Sequence, residues 1–239
     1  MGKGKSWVLV YLLTALCVLL AACLGSRAVT VIAENTPVRR EHCIVIDPGH
    51  GGEDGGATSC TGRLESAYNL EIALRLNDLL HLLGYDTRML RTTDTSIYVT
   101  GDTIAQKKIS DLKERVRIVN ETENALLLSI HQNQFSDSRY SGAQVFYPNT
   151  PGSQQLAKQM QTALVSALNP GSSRKSKPCK GVYVMEHIRC PGVLVECGFL
   201  SNLEEEGRLR DRGYQQRLCC VIAASAIQFL TGADSADIM

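Results

Sequence analysis

Two histidines and a glutamate stand at matching places in three apolar segments. IVIDPGHGG (44–52) carries His50, LLLSIHQN (126–133) carries His131, and PGVLVECGF (191–199) carries Glu196. Each apolar run reads as a strand. The first ends in a Pro-Gly break with glycines at 49, 51, 52, 55 and 56, the pattern of a strand running into a flexible, tightly turning loop. An imidazole there, with no bulky neighbours, can hold a metal or meet a substrate. Three strands ending in His, His and Glu place one polar site along one edge of a sheet.

The chemistry that suits this set is metal-assisted hydrolysis. A catalytic zinc takes three His or carboxylate ligands and keeps a fourth position for water. His50 and His131 are the first two candidates. For the third, Glu65 opens the first helix fifteen residues after His50, and Asp54 lies only four along the loop, where it is better suited to holding the loop itself. The residues alone leave these two open, and Glu196 remains. A carboxylate at the end of an apolar strand near a metal suits a general base that takes a proton from water and then gives it to a leaving amine. Each residue singly has a plainer use. A strand-end His is commonly met by a backbone carbonyl, a helix-opening Glu serves the helix dipole, and Glu196 could be half of a salt bridge. His42, His81 and His187 have no comparable context: His81 is expected on the flank of a leucine-rich helix, and His187 away from the site.

The elements that must position these groups alternate. The pattern predicts strand 43–47, helix 65–83 with Ala67, Leu70, Ala73, Leu74, Leu76, Leu80 and Leu83 near one face, strand 85–90, and polar loop 91–108. Helix 111–122, strands 125–130 and 142–147, helix 152–168 and loop 169–181 follow, then strands 182–185 and 192–196, helix 213–230 and a disordered tail from Gly232. Alternation of this kind argues for an α/β fold: one domain, a sandwich whose mixed, mostly parallel sheet is flanked by helices.

The chain has 239 residues, enough for one domain with a full core after an N-terminal segment is set aside. Lys plus Arg number 25 and Asp plus Glu 24, and 5% of residues are aromatic, so neither a basic footprint nor a stacking platform points to nucleic acid. MGKGK is basic and residues 7–24 carry no charge, the form of an export signal or membrane anchor over 1–24, followed by a linker at 25–41 and the catalytic domain at 42–231. Leu20-Ala21-Ala22-Cys23 resembles a bacterial lipobox, so an uncleaved anchor and lipidation at Cys23 stand side by side; ordinary cleavage fits less well because Leu20 occupies a position that wants a small residue. Either fate tethers the globular part to a membrane outside the cytoplasm. Seven cysteines lie in that part and form no Cys-x-x-Cys pair, against a structural zinc knuckle. The adjacent Cys219 and Cys220, in an apolar helical run, are expected as buried small hydrophobes.

Taken together, IVIDPGHGGEDGGA, Glu65 with Asn69-Leu70, MLRTTD (89–94), LKERVRIVN (112–120), SIHQN and GVLVECGFLSN (192–202) resemble the zinc-dependent N-acetylmuramoyl-L-alanine amidases of the Amidase_3 type over roughly residues 43–230. The resemblance implies zinc ligands at His50, Glu65 and His131, so it prefers Glu65 to Asp54, and a catalytic Glu196. It implies a sheet of about six strands and hydrolysis of the amide joining muramic acid to the L-alanine of peptidoglycan stem peptides. The short single domain with an N-terminal tether is most similar to the spore-cortex type, in which a membrane-associated activator protein can take part. Gln132 and Cys197 depart from the family pattern and are expected to border the site and adjust substrate fit, with Cys197 facing away from Glu196. Only ten residues separate His131 from Gly142, too few for the inserted inhibitory helix of some members. Two rival readings are a zinc peptidase of the wall and a non-catalytic peptidoglycan-binding protein on the same fold.

Overall fold

The computed structural model describes residues 42–236; the expected anchor or signal, the linker and the last three residues lie outside them. The elements, in chain order, are β1 (Cys43–Pro48), α1 (Glu65–Leu82), β2 (Asp86–Met89), α2 (Ile104–Glu121), β3 (Ala125–Asn133), β4 (Gln144–Tyr147), α3 (Ser153–Leu168), β5 (Lys177–Pro178), α4 (Tyr183–His187), β6 (Gly192–Phe199), α5 (Leu203–Arg210) and α6 (Arg212–Ala236). Six strands form one sheet in the order β2-β1-β3-β6-β4-β5. The first four in that order run parallel, β4 runs antiparallel to β6, and β5 is parallel to β4. This is the mixed, mostly parallel α/β sandwich that the sequence predicts. Among the described residues no helix is long and apolar enough to cross a membrane.

Both faces of the central strands are covered, which is why β1 and β3 read as unbroken apolar runs. Ile44 and Ile46 of β1, Leu126, Leu128 and Ile130 of β3, and Val193, Val195 and Cys197 of β6 pack under α1, α3 and α6. Val45, Leu127 and Leu194 point the other way, into a smaller core with α4 and the inner side of α2. Toward the carboxyl ends of the strands this second face turns polar: Asp47 follows Val45, and Ser129 and His131 follow Leu127. Asp47 is buried and accepts from Ser129 Oγ at 2.8 Å and from Arg115 Nη1 of α2 at 2.5 Å, while Arg115 Nε donates to Asp111 at 2.6 Å.

Several elements depart from the sequence prediction. Where a strand is expected over 182–185, Tyr183–His187 form the helical turn α4 behind an extended Val182, although Val-Tyr-Val favours strand. Burial of Val184 and Met185 against the second core overrides local propensity, and the Glu186 carboxylate accepts from Gly181 N at 2.6 Å at the entry to the turn. Helix α2 begins at Ile104, inside the expected polar loop, behind a capping box of Thr103 and Gln106. Helix α5 was not expected. Its Asn202 cap accepts from Glu204 N and Glu205 N, acids fill its first turn, and Arg208 and Arg210 lie in its last. The short strand β5 interrupts the loop expected over 169–181, and α6 continues to Ala236 where a disordered tail was expected. On α1 the buried face is Tyr68, Asn69, Ile72, Ala73, Leu76 and Leu80, rotated from the expected one so that Leu70 and Leu74 sit at its margin. All seven described cysteines are free thiols; Cys219 is buried as expected, but Cys220 is exposed.

The edge at β4 is closed by a side chain. Beyond the two residues paired with β5, Gln161 of α3 accepts from Val145 N at 2.8 Å and donates to Ala143 O at 3.1 Å, in the place of a neighbouring strand's peptide.

Burial alone would raise the Asp47 pKa, but Arg115, then His131 and Ser129, outweigh it and hold the carboxyl below its ordinary value. A carboxyl so lowered contributes stability above its unfolded pKa, and that contribution is lost as pH falls through the folded one. Substituting Asp47→Asn leaves Arg115 buried with one partner fewer and is expected to cost roughly 3–5 kcal/mol at neutral pH in urea unfolding. It should also flatten the acid limb of the stability profile.

Candidate metal centre

The strand ends deliver their polar residues to one place. His50 leaves β1 in the left-handed backbone region, φ 61°, which L side chains rarely adopt. Glu65 is the first residue of α1, seated by backbone hydrogen bonds from Glu65 N to Ala57 O (2.8 Å) and Ser66 N to Gly55 O (3.0 Å). His131 lies near the end of β3 beside Glu196 of β6, its register partner, where the ladder shifts between His131 and Asn133. Such an irregularity re-aims side chains at the end of a strand.

One ligand atom from each of His50, Glu65 and His131 lies within 4.8 Å of the others. The imidazoles meet edge to face with centroids 5.1 Å apart. Glu65 stands between them: Oε2 is 3.3 Å from His50 Nε2, and Oε1 is 3.0 Å from His131 Nδ1. Ala57 N donates to Oε2, and Gln132 N and Asn69 Nδ2 to Oε1, at 3.0, 3.2 and 3.3 Å. Glycine is required at two contacts. A Cβ at Gly49 would stand 2.2 Å from the His131 ring, and one at Gly56 would stand 2.6 Å from Glu65 Oε2.

Asp54 does not join the three. Its Oδ2 lies 3.0 Å from Lys108 Nζ and 3.0 Å from His50 Nδ1, at ion-pair distance though out of line for a hydrogen bond, so its charge stands behind the ring. This is the carboxylate–imidazole pairing that fixes the tautomer and orientation of a ligating histidine. Burial disfavours the charged His50 ring, yet the carboxylates of Asp54 and Glu65 close to it win and raise its pKa to about 9. Burial likewise works against the Glu65 carboxylate, and His131 and His50 outweigh it and hold its pKa far below the usual range. A cluster that draws protons so strongly is one in which a divalent cation can replace them.

Glu196 is different in kind. Its Oε2 is buried with no hydrogen-bond partner among the described residues. Burial, with Glu65 adding to it against the pull of the two histidines, pushes its pKa up to about 7. A carboxyl poised there can accept a proton and return it near neutral pH.

The structure thus brings together His50, Glu65, His131 and, beside them, Glu196. His187 stays out, stacked on Tyr183 with Nδ1 2.8 Å from the Tyr183 carbonyl. Cys197 is buried in the main core on the face opposite Glu196. Gln132 borders the site as expected, from its buried side: its N donates to Glu65 Oε1 and its Nε2 to Asn69 Oδ1, each at 3.2 Å. Sequence reasoning missed Asn69 and Lys108 as supports. Asn69 had a legible signal, a polar residue one turn from Glu65 on the same helix face; Lys108 was hidden in the supposed loop. The segment 134–143 contains no helix, in line with the short spacing after His131.

Three imidazole and carboxylate donors beside a half-buried carboxyl, gathered at the carboxyl ends of parallel strands and the start of α1, make a layout for hydrolysis, and comparison with known proteins specifies the kind. The chain belongs to the Amidase_3 family of N-acetylmuramoyl-L-alanine amidases, which it matches over residues 44–228. It is an enzyme acting on peptidoglycan. It is similar to the germination-specific N-acetylmuramoyl-L-alanine amidase of Bacillus subtilis (strain 168), 37% identical over 191 residues that cover 79% of each chain. It is 28% identical over 230 residues to the amidase AmiA of Escherichia coli (strain K12), covering 78% of this chain and 75% of that one. Among solved structures, the CwlD amidase of Clostridioides difficile in complex with the GerS lipoprotein superposes with a TM-score of 0.76 at 35% identity, covering 79% of this chain and 98% of that one. An amidase from Clostridium difficile 630 superposes at 0.70 with 30% identity, covering 80% and 98%.

As a test of the cluster as a metal site, Asp54→Ala should weaken the affinity of the folded chain for added zinc about ten- to a hundredfold, as loss of a partner behind a ligating imidazole does. Titration against a chromogenic chelator reads this directly; unchanged affinity would show that Asp54 serves only the loop.

Proposed function

We propose that this chain is a zinc-dependent amidase that cuts the bond between N-acetylmuramic acid and the L-alanine of the stem peptide, outside the cytoplasm, in the cell wall or spore cortex. His50, Glu65 and His131 would hold the metal, and Glu196 would act as general acid and base. The observation that carries the reading is the half-buried Glu196, whose carboxyl oxygen Oε2 is buried without a partner, standing next to His131 of the three-donor cluster. Two imidazoles and one carboxylate within a few ångströms fit zinc in number and chemistry. When bound, zinc supplies Lewis acidity that acidifies water and polarises the amide carbonyl.

The protein's own residues do the rest. Glu196 takes the proton of the attacking water, and its raised affinity for that proton lets it pass the proton on to the alanine nitrogen as the carbon–nitrogen bond breaks. Asp54, clamped by Lys108, keeps the His50 ring aimed at the centre. Gly49 and Gly56 let backbone lie against the ligating side chains where any Cβ would collide.

The similar germination-specific enzyme supports a role in the spore cortex. The basic, then apolar N-terminal segment 1–24, as an uncleaved anchor or lipidated at Cys23, supports a membrane tether on the outer side. The lipoprotein bound to the Clostridioides difficile amidase supports a membrane-associated partner here.

Replacing Glu196→Gln should leave zinc content at the wild-type level and lower hydrolysis by about two to four orders of magnitude. His50→Ala should lower zinc content, and the two changes should combine non-additively because both groups act on one water. Mass spectrometry of digested peptidoglycan should show free L-alanine amino termini and intact glycan; cleaved cross-links would instead establish a peptidase. Substantial activity in Glu196→Gln would overturn the assignment of the base.

A further inference from the structure

Two of the motifs, MLRTTD and LKERVRIVN, have no task in the chemistry above. Each contributes one arginine to the same turn, and between them the two reach three consecutive carbonyls, sharing the first. Pro48 O accepts from Arg91 Nε at 2.9 Å and from Arg115 Nη1 at 3.0 Å. Gly49 O accepts from Arg91 Nη2 at 3.0 Å, and His50 O from Arg115 Nη2 at 2.7 Å. These are the peptides on which His50 takes its left-handed turn. Arg91 also reaches the other end of the cluster: Nη2 donates to Ser66 O at 2.9 Å, one residue past Glu65.

The two guanidiniums are not equivalent. Arg115 has Asp47 and Asp111 against it. The Arg91 side chain is fully buried, and the nearest carboxylate oxygen paired with it, from the half-exposed Asp94, is 3.9 Å away. Burial and the neighbouring Arg115 lower its pKa only to about 10, so it keeps its charge at neutral pH. A buried cation surrounded by carbonyls instead of a close carboxylate is costly to retain. Its charge opposes cation binding nearby, so any service to the metal centre cannot be electrostatic. What a guanidinium offers that an ammonium does not is a planar fork of donors in fixed geometry, here applied at once to the Pro48–Gly49 turn, to Ser66 O and, through Nη1, to Thr93 O at 3.0 Å.

We propose that Arg91, with Arg115 beside it, is a positioning residue of the metal centre: its fork ties the Pro48–His50 turn to the first turn of α1 and thereby sets His50 relative to Glu65. This rests on the zinc reading above and goes beyond it, since near the cluster both arginines bond backbone carbonyls and not the side chains of the three donors. The turn is closely packed where it leaves His50. A Cβ at Gly51 would meet Thr95 O at 2.6 Å and Arg91 Nε at 2.9 Å.

The test is zinc titration of the full metal-free chain against a chromogenic chelator, with the thermal midpoint of each metal-free variant measured alongside. Arg91→Lys keeps the charge and loses the fork, and Arg91→Met loses both; each is expected to weaken zinc binding about ten- to a hundredfold. A merely structural role lowers the midpoint and leaves the zinc dissociation constant of the folded protein where it was. A dominant electrostatic role makes Arg91→Met bind zinc more tightly. Either of those outcomes overturns the proposal. If both Arg91 variants fail to fold, Arg115→Lys decides, because lysine can still pair with Asp47 but gives up the second arm on His50 O: weakened zinc binding supports the clamp and unchanged binding overturns it. A wild-type chain that binds no zinc overturns the metal centre itself, whereas tight wild-type binding with indifferent variants sinks only the positioning role.

Discussion

The structure depends on keeping one carboxylate charged where water barely reaches it. Glu65 is buried, and both of its oxygens are committed to the two imidazoles and to three N–H donors around them. Burying an isolated carboxylate is costly, and the cost falls only when positive charge and donors are brought to it in fixed positions. That demand accounts for much of the surrounding design. The glycine-rich loop wraps back so that Ala57 offers its N–H, and Asn69 uses the next turn of α1 to brace Glu65 against Gly49. The β1–β3–β6 ladder sets His131 beside both Glu65 and Glu196.

Parallel strands make this economical. Their carboxyl ends lie along one side of the sheet, so residues separated by many tens of positions arrive as neighbours without long excursions of the chain. Apolar runs ending in His50, His131 and Glu196 were therefore legible as one site before any coordinates. Sheet composition, helix alternation and the core strands were legible for the same reason: both faces of β1 and β3 are covered, and continuous β-branched and leucine runs have few other uses. Glu65 was not separable from Asp54 on residues alone. The choice depends on which carboxylate the loop turns inward, and a loop with glycines at five positions carries no periodicity to say so.

What the sequence reading lost has two physical sources. Cap chemistry was on the page and went unread at Thr103-x-x-Gln106 and at Asn202 with its acidic first turn, which hid the start of α2 and all of α5. Tertiary burial was not on the page at all: Tyr183-Val184-Met185 has strand propensity and becomes a helical turn because Val184 and Met185 fill the second core. The same limit hid the tasks of Arg91 and Arg115. Nothing in the type or spacing of an arginine announces that it will be buried among carbonyls of a loop some tens of residues away.

The side-chain seal on β4 has a bearing on how such an enzyme can be crowded. A sheet whose last strand shows a row of open peptide groups invites a second copy to zip onto it. Here Gln161 occupies the donor of Val145 and the acceptor of Ala143, and β5 beyond it is only Lys177 and Pro178. Proline brings no N–H to that outer rim and lysine brings a charge that must stay wet. Two molecules that meet at this rim therefore find no continuous backbone template on this side to join them.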